Sequence, residues 1–79
     1  MKNAYNRGLA WGKRIFREQI NDYGETGLYK ADKAATTCNK YASGSVKVTK
    51  TGKKINSQMR LFYKGARDGL QSAYNDFYK

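Results

Sequence analysis

The chain has no histidine and no proline, and its single cysteine, Cys38, has no second thiol to pair with. Each absence removes a class of protein. Without histidine there is no Ser–His–Asp arrangement and no ordinary general base near neutral pH. A lone thiol is not a metal site, and it excludes an intramolecular disulfide. One unpaired cysteine fits a reducing cytoplasm. No apolar run approaches the ~18 residues of a membrane span. Residues 1–14 lack the continuous apolar core of a secretory signal. Carboxylates are scarce: six Asp and Glu stand against sixteen Lys and Arg, a formal charge of +10. Glu18, Asp22, Glu25, Asp32, Asp68 and Asp76 show no spacing that forces a catalytic pair. The short turn between Gly24 and Gly27 lacks the GK[ST] ending of a phosphate loop. These absences point away from an enzyme, and no cofactor or metal is expected.

What is present reads as one small helical domain over residues 1–79, all-α, with three helices at about 3–23, 27–43 and 55–78. In the last of these, Ile55, Met59, Phe62, Ala66, Leu70, Ala73 and Phe77 recur at three- and four-residue spacing, which places them on one helical stripe. Tyr63 and Tyr74 widen it. The first helix has Asn3 as its N-cap and Gly24 as its C-terminal stop. Tyr5, Leu9, Gly12, Phe16, Ile20 and Tyr23 keep helical period along it, broadened by Trp11 and Ile15. The middle helix, capped by Thr26, gathers Leu28, Ala31, Ala34, Ala35, Cys38, Tyr41 and Ala42 on a face of mostly small residues. Cys38 on that face reads as a packing residue. Between the second and third helices, residues 44–54 change texture. Val46 and Val48 alternate with Lys47 and Thr49, the period of a strand, yet no partner strand is evident. That stretch reads as a mobile basic loop, or as a short β-like arm.

Two rows of small residues link the outer helices: Ala4, Gly8 and Gly12, and then Gly65, Gly69 and Ala73. Glycine inside a helix costs up to ~1 kcal/mol against alanine, so the rows call for a compensating close approach. The expectation is that the first and third helices are long and antiparallel, with Ala4 meeting Ala73, Gly8 meeting Gly69, and Gly12 meeting Gly65. One row serving a homodimer is the competing reading, because a chain of this length has a thin core.

Function has to be read from charge. Arg7, Lys13, Arg14, Arg17, Arg60, Lys64 and Arg67 lie on polar helix faces, and Lys47, Lys50, Lys53 and Lys54 load the arm. An excess of this size attracts polyanions. Arginine suits bidentate phosphate contacts, lysine supplies diffuse field, and exposed Tyr29, Tyr63, Tyr74 and Tyr78 would stack on bases. The leading expectation is a helical protein that contacts the phosphate backbone of nucleic acid without strong sequence specificity. The alternative is an inhibitor or adaptor of the phage or mobile-element type, docking a Tyr- and Arg-rich basic face on an acidic or nucleic-acid-binding surface of a larger complex. Membrane binding is not expected, because the apolar stripes suit one another better than lipid.

Overall fold

The computed structural model describes residues 3–78, which form three helices: α1 (Ala4–Tyr23), α2 (Thr26–Ser43) and α3 (Ser57–Phe77). Two asparagines start the outer helices in the same way. The Asn3 side chain accepts from the Asn6 N–H at 2.8 Å, and Asn56 accepts from the Met59 N–H at 2.9 Å. Each thereby satisfies one of the four amides a helix start leaves unpaired. At Gly24 the backbone takes φ 59, a conformation that disfavours residues with a Cβ, and its N–H closes on the Ile20 carbonyl. α2 begins so soon afterwards that Thr26 is its first helical residue rather than its cap. Glu25 occupies the cap position with no side-chain bond. The turn is held by backbone bonds from Gly27 N–H to Gly24 and from Leu28 N–H to Glu25.

The first and third helices are parallel, not antiparallel. Each of the two connections reverses the chain, and two reversals restore the original direction. The glycine contacts make the direction unambiguous. A Cβ on Gly8 would strike the carbonyl of Phe62 and lie 2.9 Å from the Ala66 nitrogen, and one on Gly12 would strike the carbonyl of Ala66. From the other side, Gly65 faces the carbonyl of Tyr5, and Gly69 faces that of Leu9. Register therefore increases together along both helices, and the expected pairs of Gly8 with Gly69 and Gly12 with Gly65 do not form. Gly8 instead corresponds to Gly65, and Gly12 to Gly69, each fitting between residues of the opposite helix. Sequence around them corresponds too: an aromatic residue, then a basic residue beside glycine, then glycine again (Tyr5, Arg7, Gly8, Gly12; Phe62, Lys64, Gly65, Gly69). Both rows are consumed within the chain, so neither is left to serve a homodimer.

This geometry explains why helical glycine is tolerated. Where a side chain would sit, a Cα hydrogen meets a carbonyl oxygen, a contact worth roughly 0.5–1 kcal/mol. That about offsets the ~1 kcal/mol helix cost of each glycine. On the inner side of the α1–α3 seam, the core consists of Phe16, Ala31, Cys38, Ala66 and Leu70, with Trp11, Ile15, Ile20, Leu28, Ala34, Ala35, Tyr63 and Ala73 packed around it. α2 crosses the outer pair antiparallel to both, and Gly27 lies against the α1 backbone at Gln19 and Ile20. Burial pushes the Cys38 thiol up to about 11, so it stays protonated as a small apolar group.

The 44–54 stretch is not a loop without partners. It folds back on itself as a small hairpin that ends against the start of α3. Thr49 N–H donates to the Lys53 carbonyl at 2.8 Å, Ile55 N–H donates to Lys47 at 3.0 Å, and Val48 bridges Lys54 in antiparallel sense. Gly52, at φ 87, closes the turn, with its N–H on the Thr49 carbonyl. The partner missing from the sequence reading is the residues just after the turn. Lysines hide it there, because Lys53 and Lys54 carry no apolar alternation.

Candidate nucleic-acid interface

Parallel outer helices sort the charges by height along the bundle. Arg67 of α3 reaches Asn39 of α2 at 2.9 Å, and Gly12 of α1 sits between Ala66 and Leu70. Those contacts define a common mid-level. On the hairpin side of it lie Arg7, Lys40, Lys47, Lys50, Lys53, Lys54, Arg60 and Lys64, with no carboxylate among the described residues there, while Arg67 and Asp68 sit at the mid-level itself. On the other side lie Lys13, Arg14, Arg17, Lys30 and Lys33, balanced one for one by Glu18, Asp22, Glu25, Asp32 and Asp76. Among the described residues, the excess charge therefore belongs to one end of the molecule, not to helix backs running its full length. Both α1 and α3 also point their N-termini to this end, against one C-terminus from α2. Helix dipoles add positive potential in the same place.

The densest part of this end is a cleft between the hairpin and α3. Val46, Val48 and Ile55 give it an apolar lining, which Lys47, Lys54, Arg60 and Gly44 share. No carboxylate lines it. The Arg60 guanidinium packs against Gly44, where a Cβ would lie 3.0 Å from one of its nitrogens. Gly44 also needs its φ of 83 to end α2, so one residue serves both the stop and the arginine seat. Lys50 and Lys53 are exposed farther along the hairpin, and Lys64 is exposed one turn beyond Arg60 on α3.

The other expected site residues divide. Arg67 is half-buried and committed: its Nε donates to Asp68 Oδ1 at 3.1 Å, and a second nitrogen donates to Asn39. The Tyr5 hydroxyl donates to the other Asp68 oxygen at 2.5 Å. Burial alone would raise the Asp68 carboxyl. The hydrogen bonds from Tyr5 and Arg67, with the charges of Arg67 and Lys64, outweigh it and hold the group below the usual carboxylate range. Tyr5 is correspondingly raised, chiefly by its bond to Asp68. The carboxylate at the margin of the basic end is thus occupied internally. Arg14 pairs with Glu18 at 3.7 Å on the balanced side. Lys13 and Arg17 also sit on that side, in a groove with Asp76 and Phe77. Arg7 is exposed on the N-terminal half of α1.

Aromatic groups are not interleaved with these cations. Tyr63 is half-buried against Tyr41 at 4.7 Å between ring centres, and burial raises its hydroxyl pKa, so it is no stacking platform. Tyr29, Tyr74 and Tyr78 are exposed, but at the opposite end from the hairpin. No group of three metal-ligating side chains forms among the described residues, and no helix is long and apolar enough to cross a membrane. Compared with protein-family models, curated proteins and solved structures, the chain matches none of them.

Proposed function

We propose that the chain binds the phosphate backbone of nucleic acid through its hairpin end, with little reading of base sequence. The observation that carries this reading is the segregation of charge. Among the described residues, eight cations share one end with the internally occupied Asp68 at its margin, and two helix N-termini also converge there. A surface built that way recognises a dense line of negative charge. Among the described residues, no exposed aromatic group accompanies the cations. Specificity in this reading is for polyanion over neutral surface.

The test is a salt titration of binding to labelled duplex DNA and to labelled RNA. The logarithm of affinity should fall linearly with the logarithm of salt concentration, with a slope near −0.9 for each duplex phosphate contacted. Replacing Lys47, Lys54 and Arg60 together by alanine should make that slope shallower by roughly 2–3. An affinity that is unchanged between low and moderate salt contradicts the proposal. Stoichiometric capture of an acidic protein from nuclease-treated lysate, with no measurable binding to either nucleic acid, would transfer the same basic end to the adaptor role.

A further inference from the structure

The end away from the hairpin carries the molecule's other segregated feature. Tyr23 at the end of α1, Tyr29 at the start of α2, and Tyr74, Phe77 and Tyr78 at the end of α3 are all exposed, Tyr29 at 64% and Tyr78 at 60%. The remaining exposed large hydrophobics of the described residues, Val48 and Leu61, are aliphatic and lie in the other half. Three of the five aromatics form a continuous ring cluster anchored in the core. Phe77 meets buried Phe16 at 5.9 Å, Tyr74 meets Tyr78 at 4.9 Å, and Phe77 meets Tyr78 at 5.2 Å. This is the end at which the cations and carboxylates of the described residues balance.

We infer that this aromatic end is the contact surface between two copies of the chain, joined end to end about a twofold axis. Two arguments select a second copy as the occupant. The first is charge. Every chain carries +10, so two copies repel wherever their basic ends approach. At the aromatic end the described residues of each copy offer both signs in equal number, and a twofold axis can set the cations of one against the carboxylates of the other. The second is area. Phenylalanine and tyrosine side chains carry roughly 150–250 Å² each, so five of them about half exposed present on the order of 500 Å². That falls within the functional patch sizes of about 300–600 Å² on single chains. With its charged rim the end approaches the ~800 Å² per partner of a standard interface. The hairpin ends then point away from one another, and the pair presents two separate cationic tips. The inference does not depend on what those tips bind.

Sedimentation equilibrium of the full chain, without nucleic acid, tests it. The expected mass is twice the 9.0 kDa of one chain at high concentration, falling toward the single chain on dilution. Because salt screens both the mutual repulsion of two cationic chains and the ion pairs across the axis, dimerisation should change little with added salt. Nucleic-acid binding falls steeply with salt, so the two readings fail independently. Tyr29→Glu and Tyr78→Glu, made singly, should each weaken the dimer at least tenfold, with the far-ultraviolet circular dichroism and melting temperature of the diluted chain unchanged. Lys47→Glu at the hairpin should not weaken it. A single-chain mass at every concentration overturns the inference, as does a dimer that both tyrosine variants leave intact. Should either variant fail to fold, the milder Tyr29→Ser or Tyr78→Ser takes its place, with the same loss of dimer expected and an intact dimer again overturning the inference.

Discussion

Four glycines decide how α1 and α3 meet, and each is replaceable as a test. In an ordinary exposed helix, glycine to alanine stabilises by up to ~1 kcal/mol. At Gly8, Gly12, Gly65 and Gly69 the new methyl group would enter the space of a backbone carbonyl on the facing helix. A flexible side chain can yield there, but a helix backbone moves only by separating the helices. Each substitution is therefore expected to destabilise by about 3 kcal/mol in urea unfolding, opposite in sign to the propensity effect. A second residue-level test concerns Asp68. Its folded pKa is depressed, so its contribution to stability is present above the ordinary carboxylate value near 3.9 and is lost as pH falls through the folded value. Acid unfolding profiles should show a loss beginning around pH 4 that Asp68→Asn removes. Tyr5→Phe should cost about 1 kcal/mol at neutral pH. At this scale much was legible in the sequence. Asn3 as a cap, Gly24 as a stop and Cys38 as a packing residue follow from local chemistry, whereas the sequence allows either Asn56 or Ser57 to cap α3 and the fold selects Asn56. The commitment of Arg67 to Asp68 and Asn39 was not legible, because it joins elements whose relative height only the fold supplies.

Among the elements, the helices were readable and their mutual arrangement was not. Three- and four-residue periodicity located α1, α2 and α3 to within two residues at either end. It also identified both glycine rows, but a row of small residues is sterically the same read in either direction. Direction follows from the number of reversals in the chain. Parallel packing has the functional consequence that both N-termini and the hairpin share one end. The hairpin itself shows the limit of pattern reading for short strands. Val46 and Val48 alternate visibly, whereas their partner segment, Lys53 to Ile55, is marked only by backbone bonds. A lysine-rich return segment looks like a linker to any hydrophobic pattern. The charge that hides its structure also gives the cleft beside Arg60 its character, and the slope change expected on removing Lys47, Lys54 and Arg60 belongs to this element.

For the whole molecule, composition gave the sign and size of the charge, and the fold gave its location. A net +10 spread evenly over 79 residues implies only general stickiness toward polyanions. Concentrated at one end, with a balanced aromatic end opposite, it implies a direction of approach. The most direct measurement compares two double variants of equal charge change in nucleic-acid binding at fixed salt: Lys47→Glu with Lys54→Glu at the hairpin, and Lys30→Glu with Lys33→Glu at the opposite end. The hairpin pair should lower affinity at least tenfold, about 1.4 kcal/mol, while the distal pair changes it only a few-fold through the weakened overall field. Equal losses from the two pairs would contradict a localised interface and leave net charge alone as the determinant of binding.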